Sequence, residues 1–282
     1  NLDPAIQLAM MPQVIVNGTL GNSLVEIDGD GKPVPELAES WEPSADAKQW
    51  AFKLRKGVEF HNGKTMGADD VIYSLNWHRR EGTKSAARAL VEAIVDIKKD
   101  DDNTIIFELN SGNADFPYTL SDYHLVIGPN ETDLAKGIFT GAYVLQDYNP
   151  GVRAFATRNP NYFKSDRGWF DEVEIMGIND INARTNALKT GQIDVMNRCD
   201  LKTVHLLERG ANIQVVKTQG TKHYTLPMQC NQAPYNDNNV RLGLKYALDR
   251  EKVLKTILRG HGIVGNDHPI SPANRYFYKD LP

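Results

Sequence analysis

Leu54-Arg55-Lys56-Gly57-Val58-Glu59-Phe60-His61-Asn62-Gly63 reads as a strand that leaves its sheet into a turn at Gly57. A second, hairpin-like turn follows at His61-Asn62-Gly63-Lys64. Upstream, Trp50-Ala51-Phe52-Lys53-Leu54-Arg55 alternates apolar and polar residues, the period of a strand with one buried face. In Leu37-Ala38-Glu39-Ser40-Trp41 the tryptophan is a core anchor. Downstream the spacing changes and predicts a helix over 68–80, with Val71, Ile72, Leu75 and Trp77 near one face. Asp69 and Asp70 suit its first turn and Arg79 and Arg80 its last, because the helix dipole favours anions at one end and cations at the other.

The rest of the chain continues this alternation. The opening apolar run, Ile6 to Ile15, carries Met10 and Met11 at its centre and is closed off by the tight turn Asp28-Gly29-Asp30-Gly31. Strands are expected at 104–109, 120–127, 141–146, 192–196, 213–217 and 224–229. Helices are expected at 181–190, 201–209 and 239–259, ended by Gly191, Gly210 and Gly260, since glycine takes the left-handed C′ conformation most easily. Strands interleaved with helices imply a mixed α/β architecture.

The 282 residues, 41% hydrophobic and 24% charged, have the composition of an ordinary globular protein of about two domains. A formal charge of −4 argues against a nucleic-acid partner, which calls for a concentrated basic face. No apolar run reaches the roughly 20 residues needed to cross a bilayer. Two cysteines, Cys199 and Cys230, are too few for a disulfide framework. They read as buried thiols or as a single pair.

Catalytic and metal chemistry find little support. There is no Gly-x-Ser-x-Gly, no supported Ser-x-x-Lys and no phosphate-binding loop. The acidic run Asp100-Asp101-Asp102-Asn103 lacks the ligand spacing and central glycine of a calcium loop and reads as a solvated turn. The seven histidines are scattered. His261 and His268 flank a glycine-rich turn, but their spacing is not that of a metal-ligand pair. Neither a cofactor nor a metal is expected, nor is an enzyme.

Four ordered stretches resemble the family-5 extracytoplasmic solute-binding proteins, the peptide/opine/nickel group. They are Pro35 to Glu42 running on through Leu54 to Gly63; Ala68-Asp69-Asp70-Val71-Ile72-Tyr73-Ser74-Leu75; Gly141-Ala142-Tyr143 with Arg158-Asn159-Pro160-Asn161-Tyr162, then Arg184, Ala187-Leu188 and Gly191 to Asp194; and Asn231 to Asp237 with Val240-Arg241 and Ala247-Leu248-Asp249-Arg250. At Gly67 this chain departs from the threonine that commonly caps the helix in the family. Glycine caps with a loss of only a few tenths of a kcal/mol.

The resemblance implies an α/β, periplasmic-binding-protein-like two-lobed fold: residues 1–25 and 136–228 as the first lobe, 26–135 as an inserted subdomain, and 229–282 as the start of a truncated second large lobe. It implies the substrate-binding component of an ABC importer, a monomer in the periplasm or anchored outside the cell as a lipoprotein. Such a component captures a peptide, opine or other small solute between its lobes and delivers it to the permease transmembrane subunits. A ligand-sensing or adhesive module on the same fold is the alternative. The chain is expected to be a truncated form that ends before much of the pocket, including the carboxylate that meets a peptide amine.

Binding residues implied for the visible wall are Met10 and Met11, Lys84 and Ser85, Asp122-Tyr123-His124, and Thr221, His223 and Tyr224. The methionines read equally as core residues, and Asp122-Tyr123-His124 reads more readily as a loop with local hydrogen bonds.

Overall fold

The computed structural model describes residues 1–218, 222–265, 267, 270, 272, 274 and 276–279. It divides into two units, Asn1–Gly177 and Ile178–Pro282. Thr221 and His268 lie outside the described residues.

The first unit opens with a short 3-10 turn, Pro4–Ile6, which Asp3 caps by accepting the Ala5 N–H at 2.9 Å. Helix α1 (Met10–Val16) follows, then a two-stranded ribbon of β1 (Val25–Ile27) and β2 (Pro33–Pro35). The stretch 38–109 folds as one antiparallel sheet in the order β3-β4-β6-β5. Its strands are β3 (Ala38–Pro43), β4 (Gln49–Leu54), β5 (Ile94–Asp101) and β6 (Thr104–Leu109). Helices α2 (Ala68–Trp77) and α3 (Arg88–Val91) connect β4 to β5.

Alternation in β4 buries Trp50, Phe52 and Leu54, as expected of a one-sided strand. Phe52 meets Phe107 edge-on at 5.3 Å, and Phe107 meets Phe116 of α4 (Phe116–Thr119) at 5.0 Å. This aromatic stack is the centre of the larger of two cores in the first unit. The smaller core gathers Leu2, Ile15, Val16, Leu20, Val126 and Phe139 under the antiparallel sheet β7-β8-β9. Those strands are β7 (Tyr143–Asn149), β8 (Arg153–Arg158) and β9 (Glu172–Met176).

Helix α2 begins at Gly67 as expected, and Asp70 completes the cap. Its Oδ2 accepts the Gly67 N–H at 2.9 Å, and its Oδ1 accepts the Asn130 N–H at 2.8 Å and the Lys64 ammonium. One buried carboxylate thus ties a helix start to two loops.

The second unit holds α5 (Ile181–Lys189), α6 (Val204–Leu207), α7 (Asn238–Ala247) and α8 (Arg250–Thr256). Gly191 takes positive φ at the position just past the Thr190 cap of α5, as expected, whereas Gly260, also at positive φ, lies beyond the Ile257 cap of α8 and does not close that helix. The helix expected over 201–209 is confined to α6. The single helix expected over 239–259 is two helices: Leu248 is extended, and Asp249 starts α8 by accepting the Lys252 N–H at 2.9 Å. An aspartate inside an amphipathic run competes for backbone N–H groups and caps a new helix rather than extending the old one.

Four expected strands are not formed. Residues 120–127 bury Leu120, Leu125, Val126 and Ile127, yet hydrogen bonds of turn type hold the segment, such as Leu125 N–H to the Asp122 carbonyl at 2.9 Å. Segments 192–196, 213–217 and 224–229 have strand-like alternation but pair with no strand among the described residues. Val195, Val216, Tyr224 and Leu226 are 85%, 72%, 75% and 76% exposed. Alternation encodes one face of a strand, and a ladder forms only where a neighbour takes up the backbone groups. The cysteines are also not buried thiols: both are free, with Cys199 half-buried and Cys230 exposed.

Candidate functional site

The opening segment is pinned from several sides. Gln7 is buried. Its side-chain Nε2 donates to the Leu2 carbonyl at 3.1 Å, and its own carbonyl accepts from Gln13 Nε2 at 3.2 Å. The same carbonyl lies 3.2 Å from His124 Nε2, across 117 residues of sequence. His124 Nδ1 is 2.7 Å from Asp122 Oδ1, and the His124 backbone N–H donates to that oxygen at 3.0 Å. The Tyr123 ring lies against the imidazole, 4.0 Å between centroids.

A second histidine, missed in the sequence, lies just past α2. His78 is fully buried, and its Nδ1 is 2.7 Å from Ser85 Oγ, which also accepts the Ala87 N–H at 3.1 Å. Next to Ser85, the Ala86 N–H donates to the Ala5 carbonyl at 2.8 Å, which holds the 83–87 loop to the opening segment. Trp77 Nε1 donates to Asp3 Oδ1 at 2.8 Å, and the Arg80 guanidinium covers the Trp77 ring at 3.6 Å.

Charge is partitioned within this cluster. Burial, followed by the neighbouring His124, pushes His78 down to about 4, so it is neutral near neutral pH. For Asp122, burial works to raise the carboxyl, but the two hydrogen bonds from His124 outweigh it and hold it below its ordinary value. His78 Nε2 and Gln7 Oε1 are buried polar atoms without a hydrogen-bond partner among the described residues.

The structure therefore brings Ser85, Asp122, Tyr123 and His124 together with Gln7 and His78. Met10 and Met11 sit half-buried at the start of α1, and Met11 packs on the smaller core. Lys84 is exposed beside Ser85. His223 and Tyr224 are exposed in the second unit, where Lys222 Nζ lies 5.3 Å from the Tyr224 ring centroid. Gln7 and His78 gave no usable sequence signal: one is a lone amide in an apolar run, the other a histidine at a helix end.

A charged network, also missed, joins two of the sequence motifs. Glu36 is buried, accepts from Asn22 Nδ2 at 2.6 Å and pairs with Lys164. Lys164 also reaches Glu26 at 3.0 Å, and Arg167 holds Glu26 at 2.5 Å. Burial raises the Glu36 carboxyl. It also acts to raise Glu26, but hydrogen bonds from Arg167 and Lys164 bring that group down to about 2. Asn22 Nδ2 further donates to the Tyr162 hydroxyl at 3.2 Å, and burial pushes this phenol up to about 12. The network borders a cavity of about 360 Å³.

The motif stretches are stitched to one another as well. Asn159 Nδ2 donates to the Gly141 carbonyl at 3.0 Å, and His61 Nε2 lies 3.1 Å from the same oxygen.

Residues 32–282 match the family model of bacterial extracellular solute-binding proteins, family 5. The chain belongs to that family. It is 27% identical to heme-binding protein A of Haemophilus influenzae, covering 94% of this chain and 55% of that one. It is also 27% identical to the dipeptide-binding protein of Escherichia coli, covering 95% and 57%. The oligopeptide-binding protein AppA of Bacillus subtilis, solved with a nonapeptide, superposes with a TM-score of 0.84 at 23% identity, over 99% of this chain and 57% of that one. The fold is the mixed α/β fold of these binding proteins, and the chain spans slightly more than half the length of the relatives it matches.

Proposed function

We propose that this chain supplies one wall of the binding site of an ABC importer's substrate-binding component, capturing a peptide or peptide-like solute for delivery to the permease. The observation that carries the reading is the convergence of Gln7, Ser85, Asp122, Tyr123 and His124 from three separated segments, in a chain of the solute-binding family. Exposed Tyr123 and half-buried Asp122 offer aromatic and polar surface there, held from behind by the buried Gln7, Ser85 and His124, the mixture from which small-solute sites are built. The peptide class is supported by relatives described as dipeptide- and oligopeptide-binding.

Met10, Met11 and Lys84 belong to the same wall in this reading, and His223 and Tyr224 are proposed by themselves as solute-contacting residues of the second unit. Hinge closure over the solute would produce the state that the permease recognises.

Titration calorimetry of the chain, and of any longer form of the same protein, against di- and oligopeptides, opines, oligosaccharides and metal chelates tests the proposal. Heat with peptides alone supports it. Silence with every class would remove it.

A further inference from the structure

We infer that His124 is a positioning residue, which by carrying two protons ties the opening segment to the 120–127 loop and makes capture at the proposed wall depend on pH. The inference rests on the proposed function only for its consequence in binding. The tie itself is a matter of geometry.

Both neighbours of the ring are acceptors. Nδ1 faces a carboxylate oxygen of Asp122 at 2.7 Å, and Nε2 faces the backbone carbonyl of Gln7 at 3.2 Å. Neither oxygen can donate, because a carboxylate and a peptide carbonyl are acceptors only. A neutral imidazole has a single N–H and satisfies one of the two; the imidazolium satisfies both. When the second proton leaves, the shorter, charge-assisted bond to Asp122 is the one retained. Nε2 then presents a lone pair to the Gln7 carbonyl, and a bond between two distant segments becomes a repulsion.

The surroundings leave this switch to His124 alone. Asp122 stays ionised and Tyr123 stacks on the ring from the same loop. At the end of α2, His78 stays neutral above about pH 4. Arg80, from that same end, faces Asp3 of the opening segment at 3.8 Å. Gln13 Nε2 still holds the Gln7 carbonyl, so the segment loosens rather than detaches. The tie is therefore complete while the ring carries both protons and is lost once a rise in pH removes one of them. A pre-positioned segment binds more tightly than a loose one.

The first measurement is a ring-nitrogen and amide NMR titration of the wild-type chain over the whole pH range in which it stays folded. The expected result is that His124 and the amides of residues 7–11 titrate with one shared midpoint, and that His124→Asn, which keeps only a donor toward Asp122, abolishes the amide transition. Amides of residues 7–11 that ignore the His124 midpoint would overturn the inference, with or without a folded variant.

The second measurement is trialanine affinity on the acid and the alkaline side of the His124 midpoint found in the first. About five-fold tighter binding is expected at the lower pH, the scale of one lost hydrogen bond, with no such difference in His124→Asn. Affinity independent of pH in the wild type would also overturn the inference. Shared NMR midpoints with no trialanine binding at either pH would instead remove the proposed function and leave the positioning role standing.

Discussion

Asn22 Nδ2 donates to Glu36 Oε1 at 2.6 Å, and both side chains are buried. This bond occupies one oxygen of a carboxylate whose other oxygen meets Lys164. A charge removed from water is tolerable when its lone pairs are filled, and removing one partner leaves the other stranded. Glu36→Gln leaves Lys164 its second carboxylate, Glu26, and should cost about 1–2 kcal/mol in urea unfolding at pH 7. Lys164→Met should cost less, because burial already raises the Glu36 carboxyl and a bound proton can neutralise it. The double variant should lose less than the sum of the two. Strict additivity would show that the pair is not coupled.

Asp70 serves three donors with one buried carboxylate: Gly67 N–H, Asn130 N–H and the Lys64 ammonium. Asp70→Ala orphans two backbone N–H groups as well as the cation, and should destabilise by about 2–4 kcal/mol. Asp70→Asn keeps an acceptor for one N–H and should recover part of that loss. Equal unfolding midpoints for the two variants would contradict this account.

His78 makes stability depend on acid. In the unfolded chain its imidazole titrates near 6.5, and in the fold only near 4. Between those values the unfolded chain binds more protons, so stability falls as pH drops from 6.5 to 4 and levels off below. The interval corresponds to roughly 3 kcal/mol. His78→Asn should flatten this part of a stability-pH profile measured by urea midpoints. A variant that keeps the wild-type slope would assign the acid sensitivity to other groups.

Gly141 lies where two backbones nearly touch. Its N–H donates to the Leu20 carbonyl at 2.7 Å, and an added Cβ would sit 2.4 Å from the Leu20 carbonyl carbon. Backbone cannot swing aside as a long side chain can, so Gly141→Ala should cost about 1–3 kcal/mol. It should also weaken the hold of His61 and Asn159 on the Gly141 carbonyl. Gly151→Ala is the control for strain without crowding, since Gly151 has positive φ and open space around its Cβ position. A Gly141→Ala cost no larger than this control would leave crowding without effect.

Much of the first unit was legible because its signals are local. Alternation at 50–55, two aspartates opening a helix at 68, and the turn at 61–64 each record a decision made within a few residues. Ser85 and Asp122-Tyr123-His124 were legible as candidates through family resemblance and as a polar, aromatic group. Gln7 and His78 were not, since nothing near either residue in sequence indicates its partners.

The sequence alone determined the family, the mixed α/β class, the strand at Trp50–Leu54 and the starts of the helices near 68, 181 and 239, because periodicity and caps are set by near neighbours. Only the tertiary structure decided that residues 120–127 form a buried loop rather than a strand, and that the run 239–259 breaks at Asp249. It alone placed the His124 imidazole between Asp122 and the Gln7 carbonyl. The physical reason is common to all three. A backbone or imidazole N–H must find an acceptor, and which acceptor is within reach depends on how distant or competing segments pack.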